Sequence, residues 1–349
     1  MILPQTYGAA LFVLILGLLC LGSWASFYKA GAKFRYELFY VDFAIGAIVL
    51  AVVYTFTFGN LGFDGFSFLD DLRNSGKREW VYGIVAGIVF NLGNMVLMSS
   101  VSVSGMAVAF PTAFAVALTL STVAAIFSGP ANLTLLLSGC ALLILAVIVD
   151  AIAFNMLGVL RHELLARAGK TKSTRRPANF KGVLLGIVSG LLLGAYLPLV
   201  DKAREGDVGL GPFSLAVMFT LGLFLSTLVF SIFFINLPVE GEPAEIGDYL
   251  RAGLKNHVKG ILAGAVWCTG ALAIWVSTLT AELFRDKESM VFLLNQGVPV
   301  VAALWGLLVW REFRGGDMRV KTMSVLMLAL FVGGLALLSL APVHVPKPT

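Results

Sequence analysis

Long runs of apolar residues alternate with short polar segments along the whole chain. Each run holds about eighteen residues or more, enough for a helix to cross a hydrocarbon core of about 30 Å. The pattern therefore predicts an all-α membrane protein with ten transmembrane helices. The expected helices are 7–28, 37–58, 80–101, 105–127, 131–157, 181–203, 212–236, 258–281, 289–311 and 318–340.

Composition supports the membrane class. Of the 349 residues, 58% are hydrophobic and only 13% are charged, whereas about a quarter of a soluble domain is charged. We expect a multi-pass protein of an inner or plasma membrane, with the lipid bilayer as its surroundings. The net charge of +5 does not indicate a nucleic-acid partner, because the basic residues lie in loops that flank apolar runs and orient membrane helices.

The ten predicted helices divide into two sets of five. Residues 1–157 form the first set and residues 181–349 the second, and a basic linker at 158–180 joins them. With the amino terminus outside, most lysines and arginines fall in loops on the inner side, as the positive-inside rule requires. We therefore expect both termini outside and the linker in the cytoplasm.

The two halves resemble each other in sequence. Residues 83–93 align without gaps on residues 260–270, and just upstream Asp70, Leu72 and Arg73 match Asp248, Leu250 and Arg251. Because five is odd, two such repeats in one chain would have opposite orientations, as in many secondary transporters. Chance similarity between glycine-rich helices is the alternative.

Polar side chains inside apolar runs are candidates for a substrate site, because groups facing lipid find no hydrogen-bond partner. Amides offer donors and an acceptor together, which suits a ureide or a sugar. A role as hydrogen-bonded tethers between helices is the alternative, and Pro111 and Pro299 also favour kinks. The candidates are Asn91, Asn94, Thr112, Asn295 and Gln296.

Three aromatic residues could stack against a planar ring or a sugar face. They are Trp24, its approximate repeat partner Tyr196, and Trp267 in the middle of helix eight. Aromatic residues near helix ends also serve as anchors at the membrane surface, so both interpretations apply to Trp24 and Tyr196.

Asp42 and Asp150 are the acids that fall inside apolar runs. An ionised carboxylate there is costly unless it is paired or hydrated, so both are candidates for coupling transport to H⁺ or Na⁺. The alternatives are structural: Asp42 could pair with Lys29, Lys33 or Arg35, and Asp150 could reach the surface or pair with linker arginines.

The sequence argues against an enzyme. His162, His257 and His344 are expected in loops or the tail, without zinc-site spacing or a nucleophile elbow nearby. No metal, prosthetic group or other cofactor is predicted. A receptor or scaffold would leave the repeat and the intramembrane amides unexplained.

Several short motifs, in this order and spacing, resemble the ureide permease family of the drug/metabolite transporter superfamily, close to its glucose/ribose porter branch. In the first half they are Leu21-Gly22-Ser23-Trp24 followed by Lys29 and Arg35, Tyr40-Val41-Asp42-Phe43, and Leu92-Gly93-Asn94. In the second half they are Gln296-Gly297-Val298-Pro299, Trp305-Gly306 and Arg311-Glu312-Phe313.

The resemblance implies two inverted five-helix repeats around a central cavity. It implies uptake of ureides, oxopurines or pyrimidines in one branch and of sugars in the other, and the superfamily also contains metabolite and drug exporters. Aromatic residues favour the ureide side.

The linker departs from the plant members of the family, which carry a phosphate-loop-like motif there. Residues 168–171, Ala-Gly-Lys-Thr, are similar to its end, but Leu164 stands where a phosphate loop needs a glycine. We therefore expect no ATP binding and interpret the linker as a basic surface for anionic lipid headgroups.

Overall fold

The computed structural model describes residues 1–31, 34–62, 65–126, 132–168, 180–239, 241–285 and 287–342. Within these ranges the regular secondary structure is helical throughout. The α-helices are α1 (Tyr7–Ser23), α2 (Ser26–Ala30), α3 (Tyr36–Phe56), α4 (Phe68–Asn74), α5 (Lys77–Ser104), α6 (Met106–Ile126), α7 (Leu133–Arg167), α8 (Phe180–Ala195), α9 (Leu197–Arg204), α10 (Pro212–Asn236), α11 (Ile246–Arg251), α12 (Leu254–Leu279), α13 (Glu288–Gln296), α14 (Val298–Leu304) and α15 (Met318–Leu340).

The helices confirm a multi-pass all-α protein. Eight described helices, with α8 and α9 taken as one, are long and apolar enough to cross a membrane, and a ninth span results if the bent pair of α13 and α14 counts as one. Helix α1 is apolar but has only 17 residues, roughly 26 Å at 1.5 Å per residue. The total of ten therefore stays a prediction.

Three predicted helices are interrupted. The first ends at Ser23 and resumes as α2, and the sixth divides around Tyr196, with Pro198 in the first turn of α9. The ninth breaks at Gly297 with a bend of 44°, followed by a π-helical turn over Trp305–Val309. Proline has no N–H to donate to the preceding turn. Pro198 therefore explains the break in the sixth helix, and Pro299 explains the break in the ninth.

The fifth helix is longer than predicted. Helix α7 continues to Arg167, so the first ten residues of the expected linker are helical. Residues 169–179, which include most of its basic side chains, lie outside the described residues.

The chain forms two compact units. Unit 1 comprises Met1–Met95 and Ala195–Val298, and unit 2 comprises Val96–Gly194 and Pro299–Thr349. Each unit thus combines residues from both halves of the sequence. The division at 157 and 181 stays a prediction about the repeats.

In unit 1, helix α3 packs directly against α12 through two glycines. A Cβ added at Gly46 would overlap the carbonyl oxygen of Ile261, and one added at Gly264 would overlap that of Phe43. Small residues let helix backbones approach where lipid supplies no hydrophobic force between helices. The glycines therefore set the spacing of this helix pair.

The same contact occurs a second time in unit 1, between α5 and α10. A Cβ at Gly87 would overlap the carbonyl oxygen of Phe219, and one at Gly222 would overlap that of Ile84.

The residues of the two contacts match in the alignment, because Ile84 and Gly87 correspond to Ile261 and Gly264. The matched polar segments upstream also form equivalent short helices, α4 and α11. The contacts of unit 1 thus contain one packing motif twice, and α10 corresponds to α3.

In unit 2, helix α7 packs against α6 and α15. Along α8, Gly186, Gly190 and Gly194 lie so close to α6 that added Cβ atoms would overlap it. Helix α6 begins after Gly105, whose φ is +88°, and the carboxylate of Glu312 accepts from the backbone N–H groups of Met106 at 2.9 Å and Ala107 at 2.8 Å. This acid satisfies donors that a helix start otherwise leaves open.

Replacing Gly264 by alanine should destabilise the protein by about 1–3 kcal/mol, because the methyl group forces α3 and α12 apart. The measurement is the thermal unfolding midpoint of the purified protein in detergent. Gly8→Ala, in α1 with open space around it, is the matched control and should unfold at the wild-type temperature or slightly higher. Equal midpoints for both variants would contradict the packing role.

Candidate substrate and ion sites

Six aromatic side chains from six segments form a cluster inside unit 1. Each is buried or half-buried. We call Trp24, Phe43, Phe90, Tyr196, Phe219 and Trp267 the aromatic cluster.

The first part of the cluster consists of Trp24, Phe43 of α3 and Trp267 of α12. The ring centroids of Trp24 and Phe43 lie 4.8 Å apart, and those of Phe43 and Trp267 lie 5.8 Å apart. These separations are within the range of favourable aromatic pairs. Trp24 is 2% exposed, so it lies in the interior of unit 1 and not at its surface as an anchor.

A second part, from α5 and α10, repeats this arrangement. Tyr196 lies 5.9 Å from Phe219, and Phe219 lies 5.2 Å from Phe90. Phe90 in turn lies 4.9 Å from Trp267, which joins the two parts. The pairs that correspond through the repeat are Trp24 and Tyr196, Phe43 and Phe219, and Trp267 and Phe90.

One polar pair adjoins the cluster on a single side. The Nδ2 of Asn94 donates to the hydroxyl of Tyr40 at 2.9 Å, and the Tyr40 ring lies 4.9 Å from Phe43. Both side chains are buried. Their counterparts through the alignment are Ala216 and Ala271, so this hydrogen-bonded pair is not duplicated with the aromatic rings.

Asn91 connects two helices. Its Nδ2 donates to Ser226 Oγ at 2.7 Å, and its Oδ1 accepts from Thr227 Oγ1 at 3.3 Å. The amide is thus engaged at both ends and links α5 to α10. This geometry favours the tether interpretation for Asn91, whereas Asn94 retains direct contact with the cluster through Tyr40.

The remaining candidate amides lie at the break between α13 and α14. Asn295 and Gln296 are the last residues of α13, and the Oδ1 of Asn295 is buried without a hydrogen-bond partner among the described residues. Thr112 belongs to unit 2, where its methyl group faces Gly186. Within the described chain its buried hydroxyl has no partner. Substrate contact by these three residues stays a prediction.

Asp42 has two partners that differ from the cations considered above. Its Oδ1 accepts from the hydroxyl of Tyr249 at 2.6 Å, and its Oδ2 lies 2.8 Å from Nδ1 of His257. Arg35 instead pairs with Glu37 at 2.8 Å, and Lys33 lies outside the described residues.

His257 is also placed differently from the prediction of a loop. It lies in the first turn of α12, which begins at Leu254. Sequence reasoning missed His257 and Tyr249 as partners of Asp42, since nothing local links residues so far apart in the chain.

Asp150 is completely buried in α7 of unit 2. Neither carboxylate oxygen has a hydrogen-bond partner among the described residues, and Arg161 donates to the backbone carbonyls of Glu312 and Arg314 instead. Asp150 therefore neither reaches the surface nor pairs with that arginine. Because an unpartnered ionised carboxylate is costly at membrane depth, it remains a coupling candidate.

Comparison with known proteins supports a transporter. Ureide permease 1 and ureide permease 2 of Arabidopsis thaliana are each 20% identical to this chain over 99% of it and 100% of their own length. Ureide permease 5 of the same plant is 22% identical over 96% of the chain and 94% of its own. No family model matches the sequence.

One solved crystal structure covers 95% of this chain and 97% of its own at 18% identity, but its TM-score of 0.49 is too low to establish a shared fold. The full-length relatives are permeases, not enzymes. Together with the apolar helices, they support a multi-pass membrane transporter of small polar solutes.

The Asn91 tether should be measurable as a coupling energy in unfolding experiments on Asn91→Ala, Ser226→Ala and the double variant. Hydrogen bonds between membrane helices average about 0.6 kcal/mol and reach about 1.7 kcal/mol, so we expect a non-additive term in that range. Additive effects of the two substitutions would show that the contact does not hold α5 to α10.

Proposed function

We propose that this protein is a secondary transporter that moves a ureide, oxopurine or pyrimidine across the membrane by alternating access. The observation that carries the proposal is the aromatic cluster with its single polar pair, Tyr40 and Asn94. The full-length similarity to ureide permeases supports the same solute class.

The chemistry of the cluster suits a planar solute rich in amide groups. Phe90, Phe219 and Trp267 pack against one another, with an interplanar angle of 24° between the last two, and rings of this kind also stack on planar solutes. The Asn94 amide and the Tyr40 hydroxyl supply donors and acceptors of the kind that cyclic ureides present. Stacking contributes about 0.5–1.5 kcal/mol per aromatic pair beyond burial, and the polar groups set orientation.

The duplicated packing in unit 1 supports the proposed inverted repeats. In transporters built this way, the frame alternates between two openings while the solute site stays near the middle of the bilayer. A solute without matching symmetry requires a site that breaks the repeat, and Tyr40 and Asn94 do so where the other copy has Ala216 and Ala271.

Coupling to a gradient of H⁺ or Na⁺ belongs to the same proposal, with Asp42 and Asp150 as the candidate residues. In the proposed topology both termini face outward and the linker lies in the cytoplasm. Uptake of a glucose- or ribose-type sugar, or export of a metabolite, is an alternative that the solute measurements below decide.

Purified protein in liposomes should exchange radiolabelled allantoin or uracil across the membrane, and glucose should not compete. The measurement is exchange in preloaded vesicles without any ion gradient, compared with empty liposomes. Exchange of glucose alone would support the sugar alternative, and exchange of none of the three would overturn the proposed solute class.

Asn94→Ala should raise the KM for the transported ureide or base by about tenfold, equivalent to one hydrogen bond of about 1.4 kcal/mol. Tyr40→Phe, which removes only the hydroxyl, should shift the KM in the same direction. Asn236→Ala is the matched control, because that amide is exposed and, among the described residues, bonds to the carbonyl of Ile232 in its own helix. Unchanged KM in both site variants would remove the polar pair from the solute site.

A further inference from the structure

A buried carboxylate, an imidazole and a phenol meet at one end of α3 and α12. Asp42 is 2% exposed, whereas the side chain of His257 is 20% exposed. Tyr249, from α11, donates to one carboxylate oxygen, and His257 occupies the other. The group therefore connects a buried acid to the surface of unit 1 through one ring.

Two aromatic contacts hold the imidazole in this position. The ring centroid of His257 lies 4.7 Å from that of Tyr249 and 5.7 Å from that of Phe34, both edge to face. Burial and the bond to Asp42 also raise the pKa of Tyr249 above its ordinary value. Tyr249 thus remains a hydroxyl donor over the whole physiological range.

The duplicate packing motif in unit 1 shows that the fold itself does not need this group. Gly260 of α12 lies against Asp42, and its repeat counterpart Gly83 lies against Met218. Met218 thus occupies, in the other copy, the position of the buried acid.

The other two members are replaced as well. His257 corresponds to Trp80, and Tyr249 corresponds to Asp71, which accepts from the backbone N–H of Gly211 at 3.0 Å. An apolar or purely structural set serves the same helix crossing in the other copy. The helix crossing therefore does not require an acid, an imidazole and a phenol.

The ligand chemistry suits a proton better than a metal cation. Na⁺ and other hard cations are bound by several oxygen ligands, but both oxygens of Asp42 already face hydrogen-bond donors. In the described part of the chain, no group of three acidic, histidine or cysteine side chains could enclose an ion. Imidazole, in contrast, ordinarily changes its charge between about pH 5 and 8.

We propose that Asp42 and His257 together form the site that binds the coupling proton, with Tyr249 as the residue that positions the carboxylate. This inference rests on the proposed transport function and assigns its ion and the residues that carry it. On the proposed topology the site opens toward the cytoplasmic end of the helices.

The proton changes the net charge of the pair. A neutral imidazole with its Nδ1–H directed at the ionised carboxylate leaves one net negative charge. A proton from water that adds at Nε2 produces an imidazolium beside the carboxylate, which is neutral overall. Return of that proton to water at the same nitrogen restores the first state. Net charge is costly at membrane depth. The protonated pair, which is neutral overall, is therefore the state that can be closed off from water.

Other charged groups on the surrounding elements are engaged elsewhere or lie at the surface. Arg35 pairs with Glu37, Arg251 lies 3.8 Å from Asp248, and Lys259 donates to the carbonyl of Ala30 at 2.9 Å. Helix α10, which also packs on α3, carries no charged residue. The charged groups to be considered in the pH response are Lys29, Arg35, Glu37, Asp248, Arg251, Lys255 and Lys259.

The test uses the full-length protein in liposomes with an imposed pH gradient. Accumulation of labelled allantoin or uracil should increase up to about tenfold per pH unit of gradient if one proton moves with each solute. In His257→Gln, which keeps an amide donor but cannot titrate, the ratio of uptake with and without the gradient should fall to about one. A sodium gradient at equal pH should leave wild-type uptake unchanged.

Tyr249→Phe provides a second variant that keeps the ring packed on His257. Without the Tyr249 donor, more of the negative charge of the carboxylate acts on the imidazolium, so the pair should hold its proton more tightly. The midpoint of the pH profile of gradient-driven uptake should therefore move to higher pH. A purely structural role would lower uptake at every pH without moving the midpoint.

Arg251→Gln is the control, because it removes an exposed charge near the site without touching Asp42. It should keep the wild-type ratio and midpoint. A wild-type ratio in His257→Gln, an unmoved midpoint in Tyr249→Phe, or accumulation driven by sodium would overturn the inference. Exchange without a gradient distinguishes the two possible failures. If only the proton-site inference fails, the wild type still exchanges solute; if the transport proposal fails, the wild type shows no exchange.

Discussion

Hydrocarbon offers no hydrogen-bond partner, and this constraint shapes the buried polar contacts between the helices. Buried hydroxyls, amides and carboxylates are costly there unless other groups of the chain satisfy them. Asn91 is engaged by Ser226 and Thr227, Asp42 by Tyr249 and His257, and Glu312 by the first amides of α6. The helices can meet at these points because glycines allow their backbones to come together.

Unit 1 combines a duplicated frame with polar groups that occur once. The glycine contacts and the aromatic rings recur in the two helix pairs. They set the packing of the helices but do not fix the orientation of a polar solute. Tyr40, Asn94, Asp42 and His257 are not duplicated, because the positions that correspond to them hold alanine, alanine, methionine and tryptophan. A repeated scaffold can be kept for packing while single substitutions in one copy create a site, because such substitutions leave the helix crossing intact.

The sequence predicted the helical class well, because hydrophobic length alone distinguishes membrane helices from the rest of the chain. It also predicted the positions where helices three and eight correspond, and the breaks near Pro198 and Pro299 are local consequences of proline. Its error at His257 has a clear cause. The predicted helix begins at residue 258, four residues after the observed start at Leu254, and this difference assigns the imidazole to a loop.

What the sequence by itself determined is the membrane class, the similarity between residues 83–93 and 260–270, and the residue types available for chemistry, since these depend on local composition and periodicity. Only the tertiary structure decided how those residues are used. Asn91 and Asn94 project from the same helix, yet one ties α5 to α10 while the other faces Tyr40 beside the aromatic cluster. Asp42 meets a histidine 215 positions away in the chain. Such partners are selected by the packing of helices distant in sequence, and no local pattern records that choice.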